Sequence, residues 1–197
     1  MSKQGRPDDR QRDAERTRAA LLDAALEAFA AHGKAGARVS DIAGRAGVNK
    51  QLISYYFGGK DGLYDAILER WHAQEVELAE DGISLGELAW RYLEVGLRQP
   101  ALQRLFIRES LDEDLADVAH DPDAPELVDL RARQAAGEIA EDLDPAFVLL
   151  ALQGMVVAHL VFASDVRRFT GLDPSSPEYL AAAGDQLRRI VHLLAGD

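Results

Sequence analysis

The sequence predicts an all-α protein that carries a helix-turn-helix near its N-terminus. In the stretch Val39–Tyr64, apolar residues at helical spacing form two short runs, which a glycine separates and a longer run follows. Elsewhere in the 197 residues the helical spacing continues, and no segment alternates with period two between turn signals. We therefore expect about nine helices and no sheet.

The helix-turn-helix begins and ends at residues that suit helix termini. Ser40 is predicted to cap its first helix, and Gly47 to end it, because glycine readily adopts a positive φ. Asn49 is predicted to cap the second helix, whose Ile53 and Phe57 lie on one apolar face.

The opposite face of the second helix is mainly polar. An advance of about 100° per residue places Gln51 and Tyr55 there, flanked by Leu52 and Ser54, with Lys50 at the edge. A short helix with one apolar face and a face of Lys, Gln, Ser and Tyr suits the major groove of DNA. These residues indicate double-stranded DNA as a partner.

Composition sets limits on the other classes of function. Apolar residues make up 47% and charged residues 28%, which is typical of a globular chain. There is no cysteine, which excludes disulfides, thiol catalysis and cysteine-ligated zinc. The N-terminus is polar and has no apolar core of a signal peptide, so we expect a cytoplasmic protein.

The net charge of −12 is unevenly distributed along the chain. Residues 1–70 carry 12 Lys/Arg and 10 Asp/Glu, whereas the rest carries 10 and 24, which gives +2 and −14. A mildly basic head on an acidic body can bind a polyanion through the head alone. A domain boundary near residues 60–70 fits this asymmetry.

The head begins with a polar segment. Residues 1–13 are predicted to be a disordered arm, whose cations either contact DNA or are simply solvated: Lys3, Arg6, Arg10 and Arg12. A helix is predicted from Arg16 to His32, and it ends at Gly33.

The body is predicted to contain six helices. Their expected bounds are Lys60 to about Glu80, Ser84 to before Pro100, Pro100 to about Leu111, Pro125 to about Leu143, Asp144 through Ala163, and Ser176 to about Ala195. Residues 112–123 are acidic and predicted to be a loop; cation binding there is the alternative, but the EF-hand spacing is absent.

The run from Phe147 to Ala163 is apolar on all sides. It is too short and too interrupted by Gln153 and His159 for a membrane span, so we expect no membrane contact. Such a helix must be covered all round, either inside a monomeric core or by a partner subunit. The predicted interface of a homodimer consists of Leu149, Val156, Val157, Leu160, Leu187, Ile190, Val191 and Leu194.

Residues 14–70 contain a distinctive combination of positions: Ile42-Ala43, Ala46-Gly47-Val48, Tyr55-Tyr56-Phe57, Gly58, Lys60 and Leu63. With this combination, the segment resembles the tetracycline-repressor (TetR) family of bacterial regulators. The resemblance implies a homodimer with a DNA-binding domain over 1–59 and an effector-binding and dimerisation domain over 60–197. It also implies a repressor that a small molecule releases from a near-palindromic operator.

The resemblance also assigns roles to single residues. Lys50, Gln51 and Ser54 would reach base edges or nearby phosphates, and Tyr55 would contact the DNA backbone. Lys60 is similar to the family's phosphate-clamping lysine. The flanks of the first helix, Arg38 and Ser40, would also seek phosphates.

Two positions depart from the family pattern. Leu52 stands where a small or polar residue is usual, and it either packs on a thymine methyl group or covers the edge of the first helix. Gly59 replaces the usual Ser or Asn cap before Lys60.

The effector is expected to be a mainly apolar small molecule. The candidate pocket residues are aromatic or semi-polar, and core packing is the alternative for each: Trp71, Trp90, Tyr92, Phe106, Met155, His159 and Phe162. No nucleophile elbow, phosphate loop or HExxH pattern is present, so we expect no enzyme, cofactor or metal. A helical interaction module without DNA binding is a further alternative, and the polar face around Gln51 argues against it.

Overall fold

The computed structural model describes residues 7–80, 82–114, 116 and 118–195, and in these residues it contains α-helices and no strand. A short 3₁₀ helix, Leu193–Ala195, follows the last of ten α-helices. The α-helices are α1 Pro7–Gly36, α2 Val39–Ala46, α3 Gln51–Phe57, α4 Lys60–Leu78, α5 Leu85–Arg98, α6 Pro100–Asp112, α7 Pro125–Ala135, α8 Pro145–Val161, α9 Ala163–Thr170 and α10 Pro177–His192.

The all-α prediction is confirmed, but one helix more than expected is present. The apolar run that was predicted as one helix is divided, because α8 ends at Val161 and α9 leaves it at an angle of 85°. Phe162 lies at the break with a φ of −111° and a ψ of 36°, outside helical values.

Two compact units make up the chain. The first contains the described residues up to Glu75 together with Arg104–Asp112, and the second contains Val76–Gln103 and the described residues after Asp112. The predicted division into residues 1–59 and 60–197 stays a prediction, while by contacts the first unit continues to Glu75.

The core of the first unit is formed by the apolar faces of α1 to α4. Fully buried side chains come from each of these helices: Leu21, Phe29, Ile42, Ile53, Leu63 and Ile67. The Phe29 and Tyr64 rings meet edge to face, with their centroids 5.6 Å apart. The helix-turn-helix is therefore packed between α1 and the beginning of α4.

α1 is longer than predicted at both ends. It begins at Pro7, a residue suited to the first turn of a helix, so the predicted disordered arm is wrong from Pro7 to Asp13. The predicted contacts of Lys3 and Arg6 lie outside the described residues. Near the other end, Gly33 has a φ of 69°, which interrupts the helix where its end was predicted.

Ser40 does not cap α2, which corrects that prediction. The helix begins one residue earlier, and the Arg38 carbonyl accepts from the N–H groups of Asp41 and Ile42 at 3.0 and 3.1 Å. The backbone thus closes the first turn, and the Ser40 hydroxyl donates instead to Asp41 Oδ1 at 3.1 Å.

The caps predicted in the second unit are present. Ser84, Asp144 and Ser176 each accept a backbone N–H at the beginning of α5, α8 and α10. α7 ends at Ala135, earlier than predicted, since Gly137 has a φ of 85° and turns the chain. The Gln134 side chain then donates to the carbonyls of Ala140 and Leu143 at 2.8 and 2.7 Å.

α5 is the centre of the second unit's core. Both α8 and α10 pack against it. The buried cluster is Leu85, Ala89, Leu93, Leu130, Ile139, Val148, Leu152, Leu187 and Val191. One side of α8 and one side of α10 are therefore used inside the unit.

No single helix among the described residues is long and apolar enough to cross a membrane. Together, α8 and α9 are long and apolar enough for a membrane span, but the 85° bend divides them. A core helix of a globular protein can have the same length and apolar composition.

The first turn of α4 lies very close to the end of α3. A Cβ added at Gly62 would overlap the carbonyl oxygen of Phe57. Since that oxygen belongs to the backbone, it cannot move without displacing the end of α3 or the beginning of α4. Gly62 is therefore required by the packing of the helix-turn-helix on α4.

We expect the substitution Gly62→Ala to lower the free energy of unfolding by about 1–3 kcal/mol, the usual cost of overpacking. Equilibrium denaturation with urea measures this change. Gly44→Ala is the matched control, because a Cβ at Gly44 meets no atom within 4 Å and alanine favours the helix. A Gly62→Ala protein as stable as the control protein would contradict the close approach.

Candidate nucleic-acid interface

α3 presents a polar face outward and one apolar residue inward. Ile53 is fully buried, whereas Gln51, Ser54 and Tyr55 are exposed, Tyr55 at 78%. Lys50, the residue before the helix, is also exposed. The outward face therefore carries an ammonium, an amide, a hydroxyl and a phenol within about one and a half helical turns.

The geometry of α3 is fixed by local signals at both ends. Asn49 Oδ1 accepts from the Gln51 N–H at 2.9 Å, as its predicted role as a cap requires. Gly58 has a φ of 73°, and its N–H donates to the Ser54 carbonyl at 3.0 Å. These contacts fix where the helix begins and ends, and so which residues face outward.

Aromatic contacts hold the C-terminal end of α3. The Tyr55 and Tyr56 rings meet edge to face at 4.9 Å, and the Tyr56 and Phe57 rings at 6.4 Å. The Arg18 guanidinium of α1 lies 5.3 Å from the centre of the Phe57 ring. Tyr55 is thus supported from one side while most of its surface is exposed.

The residues at the edges of the outward face of α3 differ in exposure and charge from those at its centre. Leu52 is half-buried, so part of its side chain is covered and part remains at the surface. Arg38 and Ser40 are exposed at the beginning of α2. Asp41, which sequence reasoning overlooked, accepts the Ser40 hydroxyl there and places a negative charge at the same helix end.

Lys60, whose predicted contact with a DNA phosphate stays a prediction, has backbone partners in its own unit. Its ammonium donates to the carbonyl oxygens of Ala35 and Ala37, at 3.2 and 3.4 Å, and its side chain is half-buried. The contact joins α4 to the turn between α1 and α2. Sequence patterns offer no signal for it, because the partners are backbone atoms more than 20 residues earlier.

Gly59, the second departure from the family pattern, has a φ of 133°. Residues with a side chain rarely adopt this conformation. The glycine is therefore explained by the turn between α3 and α4, rather than by the loss of a helix cap.

The predicted pocket residues are not all brought together. Trp71 and Phe106 belong to the first unit, where their ring centroids are 5.6 Å apart. Trp90 belongs to the second unit and packs against α10, with the Arg188 guanidinium 4.6 Å from its ring centre and Gly184 beside it. These contacts fit the alternative that Trp90 is a packing residue.

Met155 and Tyr92 are half-buried residues of the second unit. Met155 packs against the buried cluster around α5. Tyr92 lies on α5 itself, one residue before the buried Leu93. The groove beside α8 contains neither of them.

His159 and Phe162 line a groove of about 410 Å³ beside α8, α9 and the beginning of α10. Its other walls include Val166, Phe169 and Tyr179. Phe162 is 56% exposed, and His159 is 4% exposed. Burial lowers the pKa of the His159 imidazole, and this effect is larger than the opposite effect of the carbonyls of Gly96 and Val156. The neutral ring is therefore favoured.

The predicted dimer face requires correction. Leu187 and Val191 lie in the buried cluster, and Leu149, Val156 and Leu194 pack against it. Val157, Leu160 and Ile190 remain half-buried or exposed. The large apolar side chains that are more than half exposed on α8 and in the segment after it are instead Phe147, Leu150, Val161, Phe162, Phe169 and Leu193. The reason is that α5 determines which side of each helix turns inward.

No cluster of three or more potential metal ligands occurs within the described part of the chain. In the acidic stretch, Asp114 and Asp121 each accept a backbone N–H two residues later. These carboxylates therefore shape local turns.

Comparison with known proteins extends these observations. The family model described as "Bacterial regulatory proteins, tetR family" matches residues 21–67, which extend from the second half of α1 into the first half of α4. The HTH-type transcriptional repressor SCO4008 of Streptomyces coelicolor is 33% identical over 159 residues, which cover 74% of this chain and 81% of that protein.

Two further relatives agree. The HTH-type transcriptional regulator RutR of Escherichia coli K12 is 29% identical over 186 residues, covering 87% of each chain. The crystal structure of the putative transcriptional regulator SCO4942 from Streptomyces coelicolor has a TM-score of 0.67 at 29% identity, covering 88% of this chain and 97% of that one. With its helix-turn-helix and helical C-terminal part, the chain belongs to the TetR family of bacterial transcriptional regulators.

Proposed function

We propose that the protein is a ligand-responsive transcriptional repressor of the cytoplasm. It binds a near-palindromic DNA operator as a homodimer, and a small-molecule effector releases it. The exposed polar face of α3 supports this proposal most directly, because Lys50, Gln51, Ser54 and Tyr55 are held outward by a buried Ile53 and by caps at both ends.

Each group on this face suits a particular part of DNA. The Gln51 amide can both donate to and accept from an adenine edge, and the Ser54 hydroxyl suits either base type. Lys50 and Tyr55 suit phosphates, which position the protein without reading sequence. Arg38 and Ser40 at the beginning of α2 would add phosphate contacts, and the exposed part of Leu52 would meet a thymine methyl group.

We expect Gln51→Ala to relax selectivity at one base pair of each half-site, with a loss of about 1–3 kcal/mol of discrimination.

Lys50→Gln should weaken binding to all sequences alike and lower the slope of log K against log salt by about 1, because one phosphate contact is lost. Fluorescence anisotropy with DNA from upstream of the protein's own gene measures both effects.

Gln186→Ala is the control, since Gln186 is an exposed glutamine of the second unit. It should leave affinity and selectivity unchanged. Wild-type protein that binds this DNA no better than unrelated DNA would contradict the proposed function.

The exposed apolar side chains of α8 and the following C-terminal segment support a homodimer. Phe147 and Leu193 are 74% and 78% exposed, and Leu150 and Val161 are more than half exposed. Phe147, Leu150 and Val161 lie on one side of α8, together with the exposed Gly154. A row of apolar residues of this kind is typical of a surface that a partner covers. A second copy of the chain supplies an equal row around a two-fold axis.

Leu150→Glu should abolish the dimer, because it places a carboxylate in the buried centre of the interface. Light scattering after gel filtration should give twice the chain mass of 21.5 kDa for the wild type and a single chain mass for the variant. Val128→Glu is the control, on an exposed valine of α7 that is not part of this row. A wild-type monomer, or a Leu150→Glu dimer, would contradict the proposed interface.

The groove beside α8 and α9 is the proposed effector site. Its volume of about 410 Å³ lies in the range of small-molecule pockets, and its walls are mainly aromatic and aliphatic. The occupant would therefore be a largely apolar molecule. An effector that binds one conformation of the body more tightly would shift α4 and lower the affinity for DNA.

Phe162→Ala should weaken effector binding about tenfold or more, since the effector would lose an aromatic wall. A panel of apolar small molecules, tested for release of the wild-type protein from operator DNA, identifies the effector. The variant should bind DNA normally but need correspondingly more effector, whereas Val128→Ala should behave like the wild type. Equal effector sensitivity of Phe162→Ala and wild type would place the site elsewhere.

A further inference from the structure

His159 is buried in the last turn of α8, although its side chain is polar. Among the described residues, neither of its ring nitrogens has a hydrogen-bond partner. Polar atoms buried in proteins are nearly always hydrogen-bonded, so each exception needs a physical explanation. An imidazole without a partner is therefore a candidate for contact with a bound small molecule.

The neighbouring polar groups do not supply the missing partner. Gln103 Nε2 already donates to the carbonyl of Val156, about one turn before His159, at 3.1 Å. The carbonyls of Val156 and Gly96 act to raise the pKa of the ring, but neither forms a hydrogen bond of ordinary geometry with it. The neutral imidazole thus keeps one N–H donor and one nitrogen acceptor unused.

His159 forms part of the wall of the groove beside α8, together with Phe162, Phe169 and Tyr179. Gln103, whose Oε1 also lacks a partner among the described residues, does not line this groove. The nitrogens of His159 have almost no exposed surface, but a half-turn about χ2 exchanges each of them with a carbon. Since χ2 of histidine is roughly two-fold and the turn keeps the outline of the ring, it needs no new packing. A ligand in the groove can therefore meet a ring nitrogen.

The charges around the groove favour an uncharged ligand. Its described lining residues include no lysine or arginine, and the acidic residue among them, Asp165, is paired with Arg168 at 2.8 Å. Burial lowers the pKa of His159 and raises the pKa of the Tyr179 hydroxyl, so both side chains favour their neutral forms at pH 7.5. An anionic group in the groove would lose water without meeting a cation in the wall.

We propose that the effector is a neutral, mainly apolar molecule with one oxygen, in a hydroxyl or a carbonyl group, that hydrogen-bonds to the His159 imidazole. This proposal rests on the proposed effector site and names the chemistry that the site selects. The ring N–H donates to either kind of oxygen. A hydrocarbon of the same shape would leave both ring nitrogens without a partner. The cost of an unpartnered buried group is thus recovered only when a ligand with the oxygen binds.

The first test uses two naphthalene derivatives of similar shape, 2-naphthol and 2-methylnaphthalene, whose binding is measured by equilibrium dialysis at pH 7.5. The ratio of the two affinities is compared between the wild type and His159→Leu, so that the different hydrophobicities of the probes cancel. We expect the preference for 2-naphthol to fall about fivefold in His159→Leu, because one hydrogen bond is lost. An unchanged ratio would overturn the proposal.

His192→Leu is the matched control. His192 is an exposed histidine at the end of α10 and does not line this groove. The variant should keep the wild-type ratio. A third probe, 2-naphthoate, tests the charge: it should bind the wild type at least tenfold more weakly than 2-naphthol. Equal binding of these two probes would contradict the selection of an uncharged ligand.

The second test uses only the wild-type protein, so it decides the matter even if His159→Leu does not fold. NMR of the ¹⁵N-labelled histidine rings is recorded with each probe. 2-Naphthol should shift the ring nitrogen signals of His159, whereas 2-methylnaphthalene should shift them much less. The other histidines serve as internal controls. Equal shifts with the two probes would overturn the proposal.

Failure of this proposal and failure of the proposed effector site give different results. Phe162→Ala should weaken both neutral probes by a similar factor, which locates them in the groove. If both probes bind there and His159→Leu leaves their ratio unchanged, only the role of His159 is overturned. If neither probe binds the wild type, or Phe162→Ala has no effect, the proposed effector site is itself contradicted.

Discussion

The close packing of the first turn of α4 against α1 and α3 is the constraint on which the DNA-binding face depends. α3 contains seven residues, too few for a helix to be stable by itself. It is held because Ile53 is buried in the core and because Gly62 allows the backbone of α4 to approach the Phe57 carbonyl. The side chains that would read DNA therefore take their orientation from a contact on the far side of their own helix.

The same junction determines which positive charges remain for DNA. Lys34 and Lys60 both have partners within the first unit, the first Asp61 and Tyr64 and the second backbone carbonyls. Lys50 and Arg38 are left exposed near the α3 face, with Asp41 close to the latter. Few phosphate contacts per head fit a chain whose net charge is −12. In the proposed dimer, a pair of linked heads would raise the affinity, because the second head would bind at a high effective concentration.

Features that the sequence predicted well depend on neighbouring residues, and those that it missed depend on distant ones. The caps Asn49, Ser84, Asp144 and Ser176 act within three residues, so their patterns were sufficient. An apolar run covered on all sides does not indicate which side faces its own core. That choice is made by α5, and it reverses the expected roles of Leu187 and Val191. Similarly, no local pattern indicates that Lys60 reaches carbonyls at the end of α1.

The break between α8 and α9 relates the proposed dimerisation of the second unit to its proposed effector binding. Val148 and Leu152 enter the core against α5, whereas Phe147 and Leu150 remain exposed and belong to the proposed dimer interface. At its C-terminal end the same helix carries His159, and the break at Phe162 opens the groove proposed for the effector. A ligand in this groove would contact the helix that carries the proposed dimer interface. Because linkage is reciprocal, an effector that favours one arrangement of the dimer must itself bind more tightly to that arrangement. Effector affinity should therefore depend on the state of the α8 interface.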